Sequence, residues 1–144
     1  MKISSPAFKE KEMIPEKFTC QGDDINPELF IEDIPKETVS LVLIVDDPDA
    51  PMGTWTHWVV FNIAPTTKRI AENSIPGLQG FNDFGRITYG GPCPPSGTHR
   101  YFFKLYALDT VLSLPQGVKR AELEKAMENH TLRETKLMGL YKKS

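Results

Sequence analysis

A mostly β domain, one large antiparallel sheet or sandwich with a single helix near the C-terminus, is expected from three features of the chain. Leu41–Val45, Trp55–Ile63 and Arg100–Leu108 carry the patterning of buried or half-buried strands. Twelve prolines and ten glycines among 144 residues favour many turns over long helices. Only the stretch from about Lys119 to Asn129 has helical spacing, with Leu123, Ala126, Met127 and His130 forming a stripe that faces a core.

In chain order, residues 1 to 38 are irregular and punctuated by Pro6, Pro15, Pro27 and Pro35, with short strands fitting Met1–Ser4 and Leu29–Glu32. Leu41–Val45 is a continuous run of β-forming apolar residues, the mark of a strand covered on both faces. It ends in Asp46-Asp47-Pro48-Asp49-Ala50-Pro51-Met52-Gly53, where two prolines and a glycine stop further pairing. In Trp55–Ile63 strict alternation places His57, Val59, Phe61 and Ile63 on one face, with Trp58, Val60 and Asn62 on the other. Two buried strands so closely joined are antiparallel neighbours. Residues 73 to 99 hold six of the ten glycines and four of the twelve prolines. Phe81, Phe84 and Tyr89 stud this stretch, which favours a functional loop pinned to the body by its aromatic residues. Arg100–Leu108 follows, and Glu134 to Tyr141 alternates weakly enough to be a last strand.

The length fits one domain spanning residues 1–144, and a chain of this size buries roughly 68–70% of its unfolded surface without a metal or disulfide staple. Seventeen basic and nineteen acidic residues give a net charge of -2, which argues against a nucleic-acid face or a polybasic membrane patch. No apolar run approaches the ~20 residues that span a bilayer. The N-terminus has no signal-peptide pattern, so a cytoplasmic location is the expectation. Cys20 and Cys93 fit no zinc-binding spacing. Two reduced, half-buried thiols are the expected state, and one intrachain disulfide is the alternative.

Candidate chemistry collects at one end of the expected sheet. Asp47 lies just past the exit of one strand and His57 near the start of its antiparallel neighbour, so Asp47, Asp49 and His57 share that end. His99 and Tyr101 begin the third strand two residues apart, on one face and about 6.5–7 Å along it. Titratable groups at strand ends under a Gly/Pro roof make a pocket, with Trp55 available as a wall. Two imidazoles and a phenol supply donors to an anion, and Gly90, Gly91 and Gly97 allow main-chain N–H groups to approach it. A carboxylate against the far nitrogen of His57 would fix its tautomer and raise its pKa. Taken singly, His57 and His99 read as hydrogen-bonded core or rim residues, and Tyr101 as a core aromatic. The aspartates read singly as turn formers, and His130 as packing on the helix stripe. An enzyme is not expected. The Asp and His residues lack a tight metal-ligand motif, Cys93 is flanked by prolines with no base placed beside it, and no cofactor is called for.

Several ordered motifs then resemble one family. Asp47-Pro48-Asp49-Ala50-Pro51, Trp55-Thr56-His57-Trp58, Gly90-Gly91-Pro92-Cys93-Pro94-Pro95 and Gly97-Thr98-His99-Arg100-Tyr101 are similar to those of phosphatidylethanolamine-binding proteins, which include the Raf kinase inhibitor proteins. Thr19-Cys20-Gln21-Gly22-Asp23-Asp24-Ile25-Asn26-Pro27-Glu28-Leu29 and Asn82-Asp83-Phe84-Gly85 resemble the bacterial and archaeal branch. The likeness runs from about Thr19 to Tyr141. It implies a central antiparallel sheet flanked by a smaller sheet on one side and short helical elements on the other. It further implies a pocket for a phosphate-like anion or phospholipid head group, with Asp47, Asp49, His57, His99 and Tyr101 as ligand-binding residues. Trp55 and the Gly91–Pro92 region would be the walls. The alternative function it implies is inhibition of a protease or kinase through surface loops. Prokaryotic members are often dimers, so a homodimer is a further expectation.

Overall fold

The structure is a computed structural model that describes residues 1–144. Its central strand is β3, Ser40–Asp47, buried at every position because it is paired on both edges and covered on both faces. Leu41, Leu43 and Val45 enter one core, while Val42 and Ile44 enter another. β4 (Trp55–Ile63) and β7 (Thr98–Leu108) flank it antiparallel. β6 (Leu78–Gln79) and β8 (Thr131–Lys142) complete a five-stranded sheet in the order β6-β4-β3-β7-β8. A three-stranded sheet, β1 (Lys2–Ser4), β2 (Leu29–Glu32) and β5 (Arg69–Ile70) in the order β1-β2-β5, packs over one face around the larger core of 20 buried side chains. The other face carries α1 (Arg120–Met127), whose Leu123 and Met127 close a core of nine. The architecture is therefore mostly β, with a smaller sheet on one side and a short helix on the other. No helix is long and apolar enough to cross a membrane.

The outer edge of β8 is not left open. Residues 11 to 14 run along it, with the Lys11 and Ile14 N–H groups donating to the Met138 and Leu140 carbonyls, each at 2.7 Å. A main-chain lining of this kind blocks edge-to-edge pairing. It also demands glycine at 139, where a Cβ would stand 2.6 Å from Ile14 Cγ1.

Two irregularities in the β3–β4 ladder correct the expected alternation. Leu41 pairs Ile63 while Leu43 pairs Val60, so β4 carries an extra residue there, and Asn62 takes up the bend at φ 53°. Ile63 consequently joins Trp58 and Val60 in the larger core, leaving Val59 and Phe61 on the helix side. The second bulge skips His57, because Val45 pairs Trp58 and Asp46 pairs Thr56. Bulges of this type re-aim side chains at sheet ends.

Three other expectations shift. β5 and β6 have two residues each and carry no readable period. β8 begins at Thr131, three residues before the alternation becomes visible. The helix stops at Met127, and Asn129 turns the chain at φ 67°. His130 therefore leaves the stripe, stands exposed and bonds Asp109 through Nδ1 at 2.7 Å, rather than packing in the core.

Helix α1 is tied to the sheet by charge as well as by packing. The Asp46 side chain is fully buried, and its Oδ2 accepts from Lys104 Nζ at 2.8 Å and from Arg120 Nη1 at 2.9 Å. Arg120 Nη1 also donates to Thr56 Oγ1 at 3.0 Å. Asp46→Asn keeps the shape and removes the charge. We expect it to cost about 1–2 kcal/mol in denaturant unfolding, because both cations keep some access to water.

Candidate functional site

Three strand ends build the site. β3 delivers Asp47, and the following turn is closed by the Asp49 N–H donating to Asp47 Oδ1 at 2.7 Å, a side-chain-capped turn. Gly53 leaves that turn at φ 107°, a conformation that suits glycine. β4 contributes Trp55 and, through its bulge, His57. Regular alternation would put His57 on the face opposite Trp58, but the bulge sets its ring 5.3 Å from that of Tyr101, on the side of the larger core. β7 supplies His99 and Tyr101 on one face, their rings stacked 6.5 Å apart.

These side chains surround a cavity of about 210 Å³. Asp47, His57, His99 and Tyr101 form its polar part, and Trp55 is a wall. Phe84 lies edge-on to Trp55 at 5.6 Å and to His57 at 5.2 Å. Phe84 thus does what a loop-pinning aromatic should, and it is also a wall, as are Ala50 and Pro51 of the turn. An aromatic residue in a Gly/Pro-rich loop was the only sequence signal for this second role.

Three expected site residues lie elsewhere. Asp49 points away from the cavity, where Arg100 grips it through Nε at 3.0 Å, Nη2 at 2.8 Å and its backbone N–H at 3.0 Å. The hydrogen bonds and charge of Arg100 hold the Asp49 pKa down to about 2, so this ion pair braces the turn. Gly91 and Pro92 do not line the cavity either; Cys93, Pro94 and Pro95 do. Gly91 instead seats the loop on residues 18 to 24. A Cβ there would stand 2.3 Å from the Phe18 carbonyl oxygen, and its N–H donates to Asp24 Oδ1 at 2.7 Å. The Pro92 carbonyl accepts from the Cys20 N–H at 3.1 Å. The Gly90 N–H is likewise spent, on the His57 carbonyl at 3.0 Å. The expected main-chain anion nest at Gly90–Gly91 is therefore absent, because both N–H groups bond within the protein.

Cys20 and Cys93 form a disulfide, with Cα atoms 5.4 Å apart, rather than two reduced thiols. The reason is tertiary. The Tyr89 hydroxyl donates to the Phe18 carbonyl at 2.7 Å, and together with the Cys20 and Gly91 bonds it docks the two loops side by side. A separation of 73 residues gave no hint of that docking.

The electrostatics divide the two imidazoles. Asp47 Oδ2 accepts from His99 Nδ1 at 2.6 Å, in a pair almost wholly removed from water. The carboxylate fixes the ring, leaving Nε2 as the free nitrogen of His99. His57 Nδ1 lies 2.7 Å from the Gly90 carbonyl, which can only accept, so Nδ1 carries the proton and Nε2 is the free nitrogen. Burial lowers the His57 pKa, against the opposing pull of the Gly90 carbonyl and Asp47. The expected carboxylate-raised His57 is corrected accordingly, since the carboxylate serves His99. Tyr101 is fully buried, and its hydroxyl has no hydrogen-bond partner. Burial pushes its pKa up, and the nearby charge of Asp47 adds to this without making a hydrogen bond of normal geometry, so the phenol stays a donor. No group of three or more His, Cys, Asp or Glu is placed to share a metal ion.

Comparison with known proteins identifies the family and matches the fold. The family model described as phosphatidylethanolamine-binding protein matches residues 4–142. The chain belongs to that family. Among its relatives, a UPF0098 protein of Methanothermobacter thermautotrophicus is 49% identical, covering 99% of both chains. Another from Pyrococcus horikoshii is 52% identical over 99% of this chain and 77% of its own length. The crystal structure of a phosphatidylethanolamine-binding protein homolog from Chlamydia trachomatis superposes with a TM-score of 0.96 at 45% identity, covering 99% of this chain and 97% of that one. The Escherichia coli protein YbcL, described as a member of the mammalian phosphatidylethanolamine-binding protein family, superposes with a TM-score of 0.91 at 28% identity, over 99% and 98% of the two chains. In this phosphatidylethanolamine-binding protein family member, the bulge at His57 and the disulfide at Cys93 are the two devices that shape the cavity.

Proposed function

We propose that the cavity binds one small oxyanion, a phosphate or the phosphate of a small phosphorylated head group, as a binding module. The observation that carries this reading is the unpartnered hydroxyl of Tyr101 beside two imidazoles whose other nitrogens are already committed. A buried donor without a partner costs about 1–3 kcal/mol, and a ligand oxygen would relieve that cost. The volume of about 210 Å³ suits a ligand of few heavy atoms, so affinity falls in the range of about millimolar to micromolar. Both Asp47 oxygens are engaged within the protein, Oδ1 by the Asp49 N–H and Oδ2 by the Nδ1–H of His99.

Calorimetric titration with phosphate and with O-phosphoethanolamine tests the reading. Saturable heat is expected with wild type, and affinity at least about tenfold weaker with His99→Ala. Flat heats with both ligands, or equal affinity for the variant, would remove the proposal.

The pH dependence has a definite sign. Free His57 is held neutral by burial, so its Nε2 offers a lone pair to the cavity. A phosphate dianion must bring a proton with it, either on Nε2 or on its own oxygen. Binding therefore takes up protons, and affinity for a phosphate monoester such as O-phosphoethanolamine falls as pH rises from about 6 to about 8, past its second pKa of about 6. Titrations in buffers of different ionisation enthalpy measure the uptake. Constant affinity across that window with no proton uptake would contradict the assignment of His57.

A further inference from the structure

A second cleft, of about 290 Å³, is lined in part by Arg86, Thr88 and Tyr89 and shares no lining residue with the first cavity. At its base is Gln79, only 5% exposed, on the two-residue strand β6. Trp58 Nε1 donates to Gln79 Oε1 at 2.7 Å. An indole nitrogen can only donate, so this bond fixes which way round the carboxamide sits. Gln79 Nε2, with two N–H donors, then has no acceptor in the protein, and it is not among the side-chain atoms sealed from solvent. It opens into the cleft.

The charges around this donor are balanced. Arg86 lies at the cleft, its guanidinium 5.6 Å above the Phe84 ring and in no ion pair. Asp24 lines the same cleft. Its Oδ1 accepts from the Gly91 N–H at 2.7 Å, and its other oxygen bonds to nothing in the protein. Ile25 and Ile75 supply apolar wall, and Ile75 is left 71% exposed. One cation, one anion, an amide donor and an apolar wall suit a ligand of no net charge that carries both a carboxylate and an ammonium. A phosphate dianion would meet one guanidinium and one carboxylate, and gain little.

We propose that this cleft binds a small α-amino acid with an apolar side chain. Its carboxylate accepts from Gln79 Nε2 and Arg86, its ammonium faces Asp24, and its side chain lies against Ile25 and Ile75.

The test follows the Gln79 carboxamide and Trp58 indole N–H resonances of the intact protein by NMR during titration with L-leucine. Two truncated probes are titrated in parallel: 4-methylpentanoate, which lacks the ammonium, and isopentylamine, which lacks the carboxylate. Saturable shifts are expected with leucine at about millimolar concentration, weaker ones with 4-methylpentanoate, and none with isopentylamine. Gln79→Glu keeps the acceptor for Trp58 and replaces the donor with a carboxylate oxygen; it should abolish the leucine response. Arg86→Met, at an exposed position, should weaken it about fivefold or more. His99→Ala and added phosphate should leave it unchanged, so success or failure here is separate from that of the oxyanion site. Resonances that do not move with leucine, an equal response to isopentylamine, or full binding by Gln79→Glu would each overturn the proposal.

Discussion

Replacing Cys20 and Cys93 together with serine is expected to lower the unfolding free energy by about 4 kcal/mol. The bridge joins residues 73 apart, and closing a loop of that length removes much of the freedom of the unfolded chain. For a domain of this size the loss corresponds to a fall of roughly 10 °C in Tm. The folded architecture should survive, because β3 pairs with β4 and β7 over most of its length through main-chain bonds that do not depend on the bridge. The local effect falls on the first cavity. Cys93 and the two prolines after it form one wall, and without the bridge they rest only on the bonds from Tyr89, Gly91 and Cys20 to their neighbours. Denaturant unfolding of the double variant, and of wild type with and without reductant, measures the effect. Identical curves in all cases, or two thiols freely alkylated in the untreated folded protein, would contradict the bridge.

Tyr101→Phe is expected to move stability and binding in opposite directions. The tyrosine hydroxyl is buried without a partner, so its removal should stabilise the free protein by about 1 kcal/mol. The same hydroxyl is a donor in the cavity that requires neither protonation nor rearrangement, and its removal should weaken phosphate binding about ten- to a hundredfold. A hydroxyl that merely filled core space would give the first effect without the second. A hydroxyl satisfied within the protein would give a loss of stability instead. Thermal unfolding and calorimetry on the same preparation distinguish these outcomes.

What the sequence disclosed and what it withheld follow from the length scale of each feature. β3, β4 and β7 were legible because runs of five to eleven residues show their period or their continuous apolarity. The meeting of Asp47, His57, His99 and Tyr101 was legible because antiparallel neighbours bring an exit and a start to the same end of a sheet. Asp49 was misplaced because residue type alone does not tell a ligand-facing carboxylate from one gripped by Arg100 on the other side of the turn. The bulges at His57 and Asn62 were invisible, since each depends on the register of a partner strand rather than on local pattern. The pKa direction at His57 followed from that gap. Without the register, nothing showed that Asp47 meets His99 and leaves His57 to the Gly90 carbonyl. The wall was displaced from Gly91–Pro92 to Cys93, Pro94 and Pro95 for a similar reason, because Gly91 is needed where the backbone of Phe18 passes too close for any side chain.

The central claim is that groups from β3, β4 and β7 form one oxyanion site. A crystal structure of the protein grown with arsenate, a heavier analogue of phosphate, tests it most directly through the anomalous signal. One arsenate should lie among His57, His99 and Tyr101, with an oxygen about 2.7 Å from the Tyr101 hydroxyl. An empty cavity at saturating arsenate, with that hydroxyl bonded to a protein acceptor, would contradict the account.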